Sequence, residues 1–229
     1  MRRYLIGTAV VVAVLGAATV AAGTSRRGFE QSFDTAKPGS PTGTSLTVTW
    51  SGGSRARRDS SVDDVLPRGA PLDTSVRPRC KASSAQIASS GGSACAPGSR
   101  VGSGHAKVRL AAKGSPDIDT RITIFNARGQ LILYLEPAGA NVQVLRAKLR
   151  GRRLHLELPV LCAPTGTKPT CGPGGNVRIV RLDLAIERLA GYLTTPERCP
   201  RSKKWTFKLR FHGRDGRTRT RTSRVPCRS

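Results

Sequence analysis

An all-β fold, an antiparallel β-sandwich of about nine or ten strands with one or two short helices, is what this sequence predicts. Three observations carry that prediction. Apolar and polar residues alternate with period two in one segment after another. Turn-forming Gly, Asn and Asp residues separate those segments. Nothing between them is long enough to supply the crossover helices that a parallel sheet needs.

The N-terminus comes first in order. Residues 5–22 carry no charge, follow Arg2 and Arg3, and run into Val20-Ala21-Ala22-Gly23. A positive start, an apolar stretch and a small-residue cleavage site read as a signal peptide over 1–22. Arg2-Arg3 resembles a twin-arginine signal, but a plain basic n-region explains the same residues. If uncleaved, the segment is long enough to act as an N-terminal membrane anchor, although its Ala, Gly and Thr content makes insertion weak. No cysteine lies near the cleavage region for lipid attachment, and the C-terminal Val225-Pro226-Cys227-Arg228-Ser229 offers no apolar tail. Cleavage therefore predicts an extracellular or envelope-associated product with no transmembrane span. Residues 23–44, rich in Gly, Ser, Thr and Pro, read as a flexible linker. Residues 45–229 are long enough for one core, and form the predicted domain.

Within that domain, Leu46, Val48 and Trp50 share one face of a first strand. Val108 and Leu110 alternate with Lys107 and Arg109. Leu131, Leu133 and Leu135 alternate with Ile132, Tyr134 and Glu136, and Leu154, Leu156 and Leu158 with Arg153, His155 and Glu157. Val180, Leu182, Leu184 and Ile186 are set against Arg181, Asp183 and Ala185. Clearest of all, Trp205, Phe207, Leu209 and Phe211 alternate with Thr206, Lys208, Arg210 and His212. Hairpin turns are expected at Asn126–Gly129, Arg150–Arg152 and Gly213–Gly216. The helical candidates are short, one near Ser83–Ser89 and a turn near Glu187–Gly191.

Six cysteines, Cys80, Cys95, Cys162, Cys171, Cys199 and Cys227, follow the export segment. An even count in that setting reads as a disulfide framework, and six cysteines allow about 15 connectivities. Chain order favours Cys80–Cys95, Cys162–Cys171 and Cys199–Cys227, each closing a loop worth about 2.5–3.5 kcal/mol. No CxxC pair or cysteine–histidine cluster has zinc-site spacing, so neither a metal nor any other cofactor is implied.

The net charge is +25, and it is unevenly spread. Residues 201–229 contain 11 Lys and Arg against the single acid Asp215. Arg217, Arg219 and Arg221 occupy alternate positions, which a strand would set about 6.6 Å apart on one face. Together with Lys203, Lys204, Lys208 and Arg210 they form a candidate polyanion-binding surface for anionic envelope polymers or lipid headgroups. A sheet face merely solvated by arginine accounts for the same residues. Specific nucleic-acid recognition is disfavoured, because Trp205, Phe207 and Phe211 fall on the apolar face instead of interleaving with the cations.

No GxSxG, Walker loop, GxGxxG, HExxH or EF-hand loop occurs, and no catalytic residue is indicated. The functional expectation is a secreted or cell-surface, non-enzymatic basic protein, with a secreted hydrolase of unrecognised active site as the alternative.

Three short stretches carry a resemblance. They are Leu66-Pro67-Arg68-Gly69 leading through Leu72-Asp73 to Cys80; Cys95-Ala96-Pro97-Gly98-Ser99-Arg100-Val101-Gly102-Ser103-Gly104; and Thr195-Pro196, Cys199-Pro200, Trp205, Asp215-Gly216 and Pro226-Cys227. With these, the chain resembles a set of exported β-rich proteins of high-GC Gram-positive bacteria that have no assigned activity. It departs from them at Ala96, where Pro more often follows the cysteine. The resemblance implies an exported β-rich domain with paired cysteines, and brings no ligand or catalytic residue with it.

Overall fold

The computed structural model describes residues 27–50, 59–110, 117–138, 141–158 and 177–228. The predicted signal segment, and Cys162 and Cys171, lie outside the described residues.

The antiparallel all-β class is observed. Eleven strands are present: β1 Arg27–Phe33, β2 Thr44–Trp50, β3 Asp59–Val65, β4 Arg100–Leu110, β5 Asp117–Ala127, β6 Gln130–Pro137, β7 Gln143–Arg150, β8 Arg153–Glu157, β9 Val177–Ile186, β10 Lys204–Gly213 and β11 Thr218–Pro226. They form a single sheet in the order β1-β2-β9-β4-β5-β6-β7-β8-β3-β10-β11. That sheet curls until its two edges lie side by side, where a sandwich would keep two sheets apart.

Two polar strands make the difference. β3 (DSSVDDV) pairs with both β8 and β10, and so joins the C-terminal hairpin to the rest of the sheet. β1 lies inside the stretch expected to be a linker, and that expectation is corrected: Phe29 and Phe33 are buried, and Arg27–Phe33 pairs along β2. Its alternation of Phe29, Gln31 and Phe33 with polar residues is the period-two signal, hidden by the composition around it.

Curvature comes from close strand approaches and bulges. Gly102 and Gly104 sit opposite Ile186 and Leu184 of β9, where a Cβ would run into the carbonyl oxygens of Ala185 and Asp183. Only glycine allows that approach. A register shift at Lys107/Val108 changes the parity of β9, so Ile179 lines the interior in place of the expected Val180.

The edges are sealed by a side chain. Ser223 on β11 accepts a hydrogen bond from the Gln31 backbone N–H at 3.1 Å and donates to the Gln31 carbonyl at 2.9 Å. This one hydroxyl reproduces a ladder rung between β1 and β11. Rings reinforce it, with Phe33 packed edge-on against Trp205 at 5.4 Å and tilted against Phe207 at 4.8 Å.

One end of the barrel is stoppered by Leu66, Leu72, Tyr192 and Leu193, all buried in the main core. Fully buried Asn126 organises the loop beneath it: its Nδ2 donates to the carbonyls of Thr74, Arg77 and Pro78, and its Oδ1 accepts from the Tyr192 hydroxyl. The strand ends flanking residues 51–58, 111–116, 139–140 and 159–176 lie at the other end.

A second, smaller core lies outside the wall. The helix α1 (Ser84–Ser90), capped by Ser83 and Gln86, places Ile87 over Phe125, Ile132 and Tyr134 on the outer face. The Cys80–Cys95 disulfide staples this flap, and Cys199–Cys227 ties the start of β10 to the end of β11. Both match the pairings favoured by chain order.

Replacing Ser223 by Ala removes both seam bonds and leaves the Gln31 backbone groups unpaired. The expected loss is about 1–2 kcal/mol in urea unfolding. An unchanged midpoint would show that the rings alone hold the edges together.

Candidate functional site: an apolar cavity inside the barrel

Because inward positions are aliphatic on nearly every strand, curling the sheet creates an apolar lumen. It contains a cavity of about 360 Å³. Leu46, Leu133, Leu145, Leu156, Leu184 and others supply its wall, while small Ala106 and Ala147 leave room for it. Trp50, Ile118, Pro137 and Leu158 carry the lining toward the end away from the stopper. The polar exceptions among the described lining residues are Gln31, Thr44, Asp64, Thr120, Asn141 and Gln143.

Asp64 is the chemically distinctive one. It lies on the inner face of β3, between Leu154 of β8 and Leu209 of β10 in register. Asp64 is half-buried and lines the cavity, with its Oδ1 inaccessible to solvent. Gln31 Nε2 donates to Asp64 Oδ2 at 3.0 Å. Asp64 Oδ1 and Gln31 Oε1 are buried with no hydrogen-bond partner, as is Thr120 Oγ1. Burial disfavours the charged form and raises the Asp64 pKa to about 7, with the Gln31 hydrogen bond only partly opposing it.

Its neighbour Asp63 shows the opposite behaviour on the outer face. Asp63 is 2% exposed, yet it accepts hydrogen bonds from His155 Nδ1 at 2.7 Å and His212 Nε2 at 3.0 Å, with Arg153 Nη1 3.6 Å away. Burial alone would push its pKa up. The two histidine hydrogen bonds and the charges of His212 and Arg153 outweigh burial and hold it below the usual range. The strand pleat therefore splits two adjacent acids into a structural ion cluster outside and a near-neutral carboxyl inside.

The residues singled out for polyanion binding do not share one surface. Lys208 and Arg210 point outward from β10, and Arg210 lies opposite Asp63. Arg219 and Arg221 lie opposite Phe211 and Leu209, so they occupy the other face of the ribbon. Arg219 is engaged by Asp59 at 3.3 Å and Asp215 at 3.6 Å. Arg221 is exposed, Arg217 precedes β11, and Lys203 sits at positive φ in the turn before the exposed Lys204. Lys204, the first residue of β10, shares the outer face with Lys208 and Arg210, and Arg224 joins them there by its pairing with Thr206. Among the described residues no group of three or more His, Cys, Asp or Glu is placed to hold a metal ion.

The buried carboxyl gives a pH test with a defined sign. Its folded pKa of about 7 lies above the unfolded value of 3.8, so the folded state retains a proton that the unfolded chain has released. That contribution is fully present below pH 4 and is lost as pH rises through 7, by up to about 4 kcal/mol. The lowered carboxyls of Asp63 and Asp183 act in the opposite sense, and only at more acidic pH. Urea midpoints of the ligand-free protein between pH 4.5 and 8 should fall, and Asp64→Asn should flatten that slope. A flat wild-type profile would mean that Asp64 is solvated.

No protein-family model, curated protein or solved structure matches the chain, so its site is known from its own residues and geometry.

Proposed function

We propose that this protein is an exported, non-enzymatic binder that holds an apolar ligand inside its barrel. The observation that carries this reading is the aliphatic cavity of about 360 Å³. That volume falls in the range of about 300–1,000 Å³ typical of small-molecule sites. Unfilled apolar space of this kind forfeits the packing contacts that a filled core would make. A typical domain is stable by only about 5–15 kcal/mol, so such a void is a poor structural filler. A ligand that occupies it restores the lost contacts.

Several features support the setting. The disulfides Cys80–Cys95 and Cys199–Cys227 are typical of extracellular proteins. No helix among the described residues is long and apolar enough to cross a membrane. The outer strand faces carry charges such as Lys107, Arg109, Asp119 and Arg121, the reverse of a barrel whose exterior faces lipid. Residues 1–22 supply the export signal in this reading. Asp64 is the single carboxyl among the described lining residues, which favours binding over paired-acid hydrolysis.

The outer-face cations Lys208, Arg210 and Arg224 support a second reading, in which the loaded protein contacts an anionic envelope polymer. Affinity built on such cations falls steeply with salt. Replacing these three by Gln should weaken retention on polyphosphate resin more than Arg217, Arg219 and Arg221 changed together. Equal effects would remove the face assignment.

For the cavity itself, N-phenyl-1-naphthylamine should bind saturably at one site per molecule with enhanced emission. Ala147→Phe projects a ring into the lumen and should lower that affinity about tenfold or more while the barrel still unfolds cooperatively. Undiminished binding by a folded Ala147→Phe variant would place the dye elsewhere and remove the reading.

A further inference from the structure

We infer that Gln31 and Asp64 are the head-group anchor of this cavity, and that its ligand is a neutral amphiphile bearing a hydroxyl, seated head-first. The inference rests on the reading of the lumen as a ligand site and adds which chemistry it selects.

Two hydrogen-bonded side chains in a largely aliphatic wall each leave one polar atom unmatched. Gln31 is 3% exposed, with Oε1 unpaired, and Asp64 Oδ1 is unpaired beside it. Buried polar atoms in folded proteins are ordinarily satisfied, so a pair of orphans bordering a cavity points to a partner absent from the protein chain. Their bonded atoms are already committed, because Gln31 Nε2 donates to Asp64 Oδ2 and the Gln31 backbone is fixed by Ser223. The anchor is thus preorganised by the seam.

The unmatched atoms also define the head group. Gln31 Oε1 accepts only. The Asp64 oxygen accepts when ionised and donates when protonated. A hydroxyl suits both states, since it can donate to either oxygen and accept from the protonated acid. A ligand carboxylate would set acceptor against Gln31 Oε1 and against ionised Asp64, and an alkylammonium would need Asp64 ionised, so that two charges are desolvated in a largely aliphatic chamber.

Position sets the orientation. Asp64 immediately precedes Val65 and the stopper residue Leu66, whereas Trp50, Pro137 and Leu158 line the far part of the cavity. The hydroxyl therefore sits toward the stoppered end, with the apolar tail directed away from it. Scaled from benzene in a cavity of about 150 Å³, the volume accommodates about 14 carbons.

The test is displacement of N-phenyl-1-naphthylamine from the whole mature protein by decan-1-ol, 1-methoxydecane, decanoate and decylamine at pH 7.5. Decan-1-ol should compete about tenfold or more better than its methyl ether, which has the same tail and no donor. Asp64→Leu should bind both within about threefold of each other. Equal competition by alcohol and ether in the wild type overturns the anchor while leaving the cavity reading intact, and this arm needs no variant. Preference for decanoate or decylamine, or an alcohol preference retained in folded Asp64→Leu, also overturns it. Failure of the dye itself to bind overturns both readings together.

Discussion

The structure depends on closure of one seam. An eleven-stranded antiparallel sheet with two free edges would have no interior, only a curved apolar face open to water. Ser223 closes it by bonding both backbone groups of Gln31, and Gln31 in turn donates from its side-chain Nε2 to Asp64. A single position thus holds the wall together and orients the polar pair within it. The Cys199–Cys227 disulfide fixes the end of β11 to the start of β10, which keeps Ser223 within reach of β1.

The two faces of the wall obey different rules. Outside, acids and bases pair across strands, as in Arg109 with Asp117 and the cluster around Asp63. The exposed Arg109–Asp117 pair contributes little in water and salt, whereas buried Asp63 depends on the donors His155, His212 and Arg153 around it. Inside, one carboxyl with no cationic partner has large consequences, because Gln31 is the hydrogen-bond donor that faces it. The flap stapled by Cys80–Cys95 lies against the outer surface and takes no part in the lining. Lumen shape is consequently set by the strands and the stopper residues, independently of the flap.

Much of the wall was legible in the sequence. The segments around Leu133, Leu156 and Phe207 have clean period-two patterns, and their hairpin turns fall where Gly129, Gly151 and Gly216 adopt positive φ. The capped helix and two disulfides were readable for similar reasons, since local chemistry specifies them. Closure was not legible, because it rests on the Ser223 side chain of β11 meeting the Gln31 backbone of β1, nearly the full chain apart. β1 was masked by the Gly and Pro around it, and β3 by having only two valines among its seven residues. The polar pair was hidden for the same reason. Asp64 beside Asp63 reads as a solvated doublet until the pleat separates them, and Gln31 has no sequence signature at all. The basic stripe was legible in part: alternation groups Arg219 with Arg221, but strand register is needed to see that Lys208 and Arg210 face the other way.

The lumen also bears on how long the molecule survives. A guest that fills it stabilises the folded state by mass action, leaving the vacant form as the one that opens more often. For an exported protein, which no chaperone refolds, the form without its guest is the one proteases remove first. On this reading abundance follows supply of the guest, and the hollow interior acts as a turnover gauge.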